Sequence, residues 1–420
     1  MKEHAKSFIK NYPYQIGTSL KWIIFSILSG ILVGLVGVAF YFCMDAVTSC
    51  RAAHPRLIFL LPAGGLAIVG LYRLLHDEKD TGTNLVLSAI HSNDKIPLRM
   101  APLIFISTLI THLFGGSAGR EGAALQLGGS IGNALGKLFR FDDKDQHIMI
   151  MCGMSAAFSA LFGTPLAAAV FSMEVVSVGI MHYSALVPCV IASLVAHGIA
   201  LSCHAMPESF DLGVLPDFSI RTAVLIGVLA VLCAFVSILF CVILHSAEHL
   251  YKRFFKNAYL RASVGGGIVV ILTLLVGSQD YNGTGMSMIE SCIATGEVYP
   301  LAFLLKMIFT AATLGAGYKG GEIVPTFFIG ATFGCLFGNL IGLSPALCAA
   351  VGMGAVFCGV TNSPITALLI CFELFGFEGM PYYLIAIALS YMMSGYYGLY
   401  SSQRIIYSKY KTEYINRKSE

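Results

Sequence analysis

The chain has 420 residues, of which 56% are hydrophobic and 12% charged, with a formal net charge of +3. A soluble domain carries roughly a quarter charged residues, so this composition, with a mean hydropathy of +0.77, excludes an ordinary water-soluble globule. The small net charge gives no support to nucleic-acid binding.

Residues 1–18 are polar and basic (Lys2, Lys6, Lys10), and the apolar run that follows, 22–44, is too long for the core of a cleavable signal. Runs 22–44, 57–72, 223–244 and 262–277 meet or approach the length that crosses hydrocarbon. Runs 125–138 and 327–341 are shorter and interrupted by glycine, which predicts half-spanning or re-entrant helices. Basic residues recur after the last apolar run (Arg404, Lys409, Lys411, Arg417, Lys418), so the positive-inside tendency predicts both termini in the cytoplasm. The 12 cysteines are scattered without metal-ligand spacing and read as small buried hydrophobes. A single membrane domain over 1–420 is expected, with no cytoplasmic regulatory domain.

A long-period duplication divides the chain into halves of roughly 18–205 and 216–412. Segments 153–174 (GMSAAFSALFGTPLAAAVFSME) and 352–373 (GMGAVFCGVTNSPITALLICFE) share seven identities in 22 ungapped positions, with Pro165 matching Pro364 and Glu174 matching Glu373. Upstream, Gly119-Arg120-Glu121-Gly122 is paired with Gly320-Gly321-Glu322-Ile323, each ahead of a glycine-spaced apolar stretch. The two prolines each split an apolar run into two helices. Repeats of this kind place broken helix ends at a shared site near the bilayer midplane. An odd number of spans per half would make the copies inverted.

Four glutamates lie within or beside membrane segments, where carboxylates are costly and mark ion or proton pathways. Glu174 and Glu373 read as structural helix-end carboxylates. Glu121 and Glu322 each open a helix from a glycine-rich loop. The exposed backbone N–H groups and the helix dipole there suit an anion. A nearby carboxylate can occupy the same place as a tethered anion and release it on protonation, acting as both gate and proton carrier. The bland alternative is a plain N-cap.

The Gly-Arg-Glu-Gly segment at 119–122 with Gln126, Gly128, Gly129 and Gly132, the Gly-Thr-Pro-Leu-Ala stretch beginning at Gly163, the Gly-Gly-Glu-Ile-Val-Pro at 320–325 and Leu399-Tyr400-Ser401 together resemble the CLC family of anion channels and transporters. That resemblance implies an all-α polytopic, inverted-repeat CLC-type fold with broken and half-spanning helices. It also implies a homodimer with one pathway per subunit in a lipid bilayer. Glu121 becomes the external gating glutamate and Tyr400 a hydroxyl donor to the anion. Gly119, Arg120, Gly122 and Gly321 join the anion-binding loops, with the amides of Ile323 and Val324 as further donors. No cofactor or metal is implied, and the expected location is a bacterial inner membrane.

The chain departs from the chloride-type pattern in three places. Its first anion loop is Gly82-Thr83-Asn84-Leu85-Val86, without the usual serine and proline, leaving Thr83 and Asn84 as donors. Val175 stands where chloride/proton exchangers carry an internal proton glutamate. Glu322 stands where an apolar residue is usual. This pattern resembles the fluoride/proton branch, and the expected substrates are fluoride and protons. A chloride or nitrate exchanger, or a passive channel, is the alternative, and a hydroxyl at Val324 would have strengthened the fluoride reading. Ser117, Ser155, His112 and His147 form no nucleophile-elbow or His-Glu-x-x-His pattern, so an enzyme is not expected. His112 reads as a packed or pore-adjacent histidine.

Overall fold

In the computed structural model, residues 2–78, 81–92, 94–205 and 208–420 are described, with side chains from residue 15 onward. The side chains of Lys2, Lys6 and Lys10 therefore lie outside the described residues. Sixteen α-helices follow one another: α1 (Lys2–Ala53), α2 (Leu61–Leu74), α3 (Thr83–His91), α4 (Met100–Leu113), α5 (Glu121–Leu138), α6 (Asp143–Phe162), α7 (Pro165–Glu174) and α8 (Leu186–Ser202) form the first half. The second half is α9 (Ile220–Phe254), α10 (Ala258–Val276), α11 (Met286–Ala294), α12 (Ala302–Gly315), α13 (Ile323–Ile341), α14 (Pro345–Thr361), α15 (Pro364–Phe375) and α16 (Met380–Met393). Each half thus has a long helix, then a near-spanning one, a nine-residue one, a fourteen-residue one, one that opens from a glycine loop (α5, α13), and a proline-split pair before the last. The duplication seen in two short segments extends to every helix.

Among the described residues, six helical stretches are long and apolar enough to cross a membrane, including those that hold all four long sequence runs. The prolines act as expected: Pro165 and Pro364 each occupy the first turn of a helix, where a missing N–H costs nothing. One expectation needs refining. The run 327–341 begins earlier, at Ile323, so α13 is 19 residues long and counts among the possible spans, although most of it is buried inside the protein.

The halves are inverted. Glu174, at the C-terminal end of α7, accepts bonds from the Ile365 and Thr366 amides (3.1 and 2.8 Å) and from the Thr366 hydroxyl (2.6 Å), at the N-terminus of α15. Glu373, near the end of α15, accepts from the Leu166 and Ala167 amides (both 2.9 Å), at the N-terminus of α7. Each carboxylate caps the other repeat's broken helix, so α7 and α15 run antiparallel. The capping satisfies orphan N–H groups and places negative charge at the positive helix ends. This agrees with the structural reading of both glutamates.

Close helix crossings repeat with the same symmetry. Gly128 and Gly153 pack backbone to backbone where α5 crosses α6, and Gly330 and Gly352 do so where α13 crosses α14. A methyl group at any of the four would collide with the facing carbonyl, the close approach that small residues allow between membrane helices. Nine of the cysteines are buried and all twelve are free, consistent with the packing role assigned to them.

One small sheet lies beyond the helical reading. Strands β1 (Ser177–Val178), β2 (Arg404–Tyr407) and β3 (Tyr414–Lys418) pair in that order, β1 parallel and β3 antiparallel to β2. The sheet ties the chain after α16 to the end of α7. Between β2 and β3, Lys409 is held by Asn362 Oδ1, the Tyr391 carbonyl (3.0 Å) and the Ser394 hydroxyl (3.2 Å).

Replacing Glu174 with alanine leaves two amides and a hydroxyl without acceptors in a buried place. The expected cost is about 2–3 kcal/mol, read as a lowered thermal unfolding midpoint in detergent. An unchanged midpoint would remove the capping role.

Candidate functional site

The two glycine loops meet at one point. Gly119 N–H donates to the Gly321 carbonyl and Gly321 N–H to the Gly119 carbonyl, both at 2.7 Å, forming an isolated antiparallel bridge. This reciprocal pair corrects the alignment of the loops. Gly119 faces Gly321, not Gly320, so the structural counterpart of Arg120 is Glu322 and that of Glu121 is Ile323. The helices agree: Arg120 and Glu322 are the N-cap residues of α5 and α13, and Gly128 and Gly132 match Gly330 and Gly334 at the same offset. Glycine-rich loops have no periodicity to fix register, which is why the one-residue slip went unseen in the sequence.

Glu121 is completely buried. One carboxylate oxygen accepts the Arg120 backbone N–H at 3.0 Å and the other the Arg120 Nε at 3.4 Å. Arg120 in turn donates to Glu208 at 2.6 Å and stacks over the Tyr41 ring. Arg120 was expected among the anion ligands; its guanidinium is instead engaged by two carboxylates. His112 is buried with its ring nitrogens 2.9 and 3.0 Å from the Thr108 and Ala118 carbonyls, which anchors the approach to Gly119. Ser117 and Ser155 spend their hydroxyls on Thr310 and the Cys189 carbonyl.

Glu322 faces the other way. It lines a cavity of about 1300 Å³ together with Thr83, Asn84, Gln126 and Tyr400. Its side chain makes no cap bond to α13, and its Oε2 is buried without a hydrogen-bond partner. A methyl group on Gly122 would lie 3.2 Å from that oxygen, so the carboxyl sits over the start of α5. The Tyr400 hydroxyl and the Gln126 Oε1 are likewise buried without partners and line the same cavity. Buried polar atoms are normally paired, so three such atoms around one cavity end mark a place built for a polar guest.

The Tyr400 loop is fixed from four sides. Leu399 N–H bonds the Val360 carbonyl (2.9 Å), Ser402 N–H bonds Asn84 Oδ1 (3.0 Å), and the Tyr400 carbonyl accepts the Ser419 hydroxyl (3.1 Å). His245 Nε2 lies 3.3 Å from the Leu399 carbonyl. Asn84, expected as an anion donor, thus has its oxygen committed to positioning Tyr400, while its residue still lines the cavity.

Thr83 lies in the first turn of α3, after Gly82 at φ 65°, a left-handed turn that glycine adopts freely. Its hydroxyl is 3.4 Å from the Gly122 carbonyl and accepts from Gln126 Nε2 at 3.2 Å. Gln126 is 3% exposed and received no role from the sequence, although it stands in the quoted motif. A polar residue one turn into a helix that opens on the site was the available signal. The side-chain amide has two orientations, and in either one it offers the cavity a polar atom beside Tyr400 and Glu322.

Ile323 and Val324 carry the first amides of α13, which a helix leaves without intrahelical partners; Thr326 is the first to bond back, to the Glu322 carbonyl at 3.1 Å. Both side chains are fully buried. Val175 is also fully buried, and its carbonyl accepts Gln403 Nε2 at 2.8 Å. Gln403 donates as well to the Thr361 carbonyl (2.7 Å) and accepts from Asn362 (2.9 Å).

Comparison with known proteins agrees with this architecture. A chloride/fluoride channel protein of Pseudomonas syringae pv. tomato is 36% identical over 397 residues, covering 93% of this chain and 88% of its own. The crystal structure of a CLC-type fluoride/proton antiporter superposes with a TM-score of 0.88 at 32% identity, over 91% of this chain and 98% of that one. A slow cyanobacterial Cl−/H+ antiporter shares the fold at 20% identity, with a TM-score of 0.77 over 89% and 94% of the two chains. The family model described as voltage gated chloride channel matches residues 64–395, and with that match the chain belongs to the CLC family.

Proposed function

We propose that this chain is a proton-coupled antiporter that exports fluoride in exchange for protons. The observation that carries the reading is the Glu322 carboxyl, buried and unpartnered at its Oε2, at the cavity end it shares with the Tyr400 hydroxyl. Fluoride is small and strongly hydrated, so a site that strips its water must return strong hydrogen bonds. A buried carboxylic acid kept neutral is such a donor, and the phenol of Tyr400 supplies a second. The α13 amides and the positive end of that helix add to the same field. The similarity to a fluoride/proton antiporter at 32% identity supports this choice of anion.

In this scheme Glu121 and Glu322 divide the work. Glu121, deprotonated, competes with the anion for the helix-terminus site; protonated, it gives up that claim and carries its proton across. Glu322 binds fluoride as the neutral acid and holds a proton on the cavity side. A proton bound at one carboxyl and a fluoride bound at the other then move in opposite directions. Gly119 and Gly321 hold the two loops together, while Gly122 admits the Glu322 carboxyl at close range. The amides of Ile323 and Val324 supply further donors, and Gln126 adds one in the orientation that turns its nitrogen to the cavity, with Thr83 holding that side chain.

The location follows from charge. The cavity mouth carries Arg73, Lys252, Lys256, Arg261 and Lys319, and the positive-inside rule assigns this face to the cytoplasm. We assign the protein to the cell membrane with both termini on that side, working as a homodimer with one pathway per subunit.

Purified protein in liposomes, followed with a fluoride electrode and a pH electrode, tests the scheme. Fluoride efflux should exceed chloride efflux and should drive protons uphill. Chloride moving as fast as fluoride would overturn the selectivity, and efflux without proton movement would make the pathway a channel. Glu322→Gln should reduce fluoride-driven proton movement to background; coupled transport at the wild-type rate would end the role given to that acid. Tyr400→Phe removes one donor worth about 1 kcal/mol, so fluoride binding measured by calorimetry should weaken roughly 5- to 10-fold. Unaltered affinity would take Tyr400 out of the ligand set.

A further inference from the structure

We infer that His245 is the proton port of the large cavity, taking protons from its water and delivering them to Glu322, so that proton and anion enter through the same vestibule. The inference rests on the antiport reading and goes beyond it by naming the group that loads the acid.

His245, Glu248, His249 and Lys252 recur at the spacing of one helix face, and all four line the cavity from the C-terminal part of α9. His245 approaches the Tyr400 loop, its Nε2 lying 3.3 Å from the carbonyl of Leu399, the residue before Tyr400. A carbonyl only accepts hydrogen bonds, so Nε2 carries the hydrogen and Nδ1 is left as the base. Histidine exchanges protons readily near neutral pH. Glu248 lies within electrostatic reach of Glu322 and pairs with Lys252, which fixes an acid on the same face.

Val175 has no titratable group, is fully buried, and has its carbonyl held by Gln403. Glu322 opens instead onto the cavity. The charged groups around His245 are Glu248, His249 and Lys252 on its own helix, and Lys319 and Glu322 on the facing loop. Tyr400 and Glu420 face it from the C-terminal segment, and Arg73, Glu78, Lys256 and Arg261 stand at the mouth. Five cations and four carboxylates share this wall, and two of each are paired there, Arg73 with Glu78 and Lys252 with Glu248.

The step is balanced within the chain and its water. Nδ1 takes a proton from cavity water to give the imidazolium, then passes it through water to the Glu322 carboxylate. The ring returns to its neutral form with hydrogen on Nε2, and no other reactant takes part.

His245→Gln preserves a donor toward the Leu399 carbonyl but cannot carry the proton. In liposomes containing the full chain, this variant should lower fluoride-driven proton transport at least fivefold. Its fluoride affinity by calorimetry should stay within twofold of wild type. His245→Ala should be slow as well, and a membrane-impermeant sulfonate buffer on the cavity side should restore at least half of its rate. Wild-type rates in His245→Gln would overturn the inference, as would a loss that follows weakened fluoride binding and ignores the buffer, the mark of a merely structural anchor. Wild-type protein that moves fluoride without protons would overturn the antiport reading itself, and this inference with it.

Discussion

Two hydrogen bonds between Gly119 and Gly321 set the geometry on which everything else depends. Inside a bilayer no backbone N–H or C=O can be left to water, yet this fold breaks its helices in the middle of the protein. The bridge satisfies the two loops against each other, and the Glu174 and Glu373 carboxylates satisfy the broken helices α7 and α15. Both devices are reciprocal, each half completing the other. Neither half could bury its loops alone, so the duplication is a condition of the fold and not only a trace of its origin. Glycine is required at Gly321, where a side chain would enter the Gly122 backbone, and a side chain on Gly119 would crowd Pro325 and the Glu121 carboxylate.

Much of this was legible in the sequence wherever a physical signal is strong over a short stretch. Hydrophobic length gave the spans, and proline gave the breaks at Thr164-Pro165 and Ser363-Pro364. Glutamates in register within the repeat identified Glu174 and Glu373 as structural. Glu121 and Glu322 were singled out by residue type in an unusual setting and Tyr400 by the family resemblance, and the structure places Glu322 and Tyr400 on one cavity. Information failed where partners are far apart in the chain. Asn84 bonds Ser402 across 318 positions, so its use as a prop for the Tyr400 loop leaves no local mark. Gln126 hides among glycines whose packing role explains the motif by itself. The strand pairing after α16 is set by docking onto β1, not by a strong strand pattern of its own.

The interior polar groups form a graded series. At the Gln403 end, amide and carbonyl groups from Val175, Thr361 and Asn362 are matched around one side chain. A matched network of this kind is rigid, because moving any member exposes the rest to an apolar surrounding. At the Tyr400 end, three residues back along the chain, the hydroxyl has no partner. The rigid network thus presents an unsatisfied group at a fixed place, the arrangement a selective site needs: the cost of ordering the ligand groups is met during folding and not during each transport cycle.

The corrected register explains how a symmetric frame performs an asymmetric task. If Glu121 and Glu322 were symmetry mates, the two loops would present the same acid in the same way to opposite sides, and neither direction would differ. They are offset by one position, so Arg120 occupies the place that Glu322 has in the other half. The consequence is visible in their partners. Glu121 is turned back onto Arg120, which is itself anchored by Glu208, and has no exposure. Glu322, with no arginine beside it, is turned toward the cavity. The same backbone bridge therefore holds one acid against its own loop and turns the other toward the cavity, so a chain built from two copies of one fold presents its two acids in different surroundings.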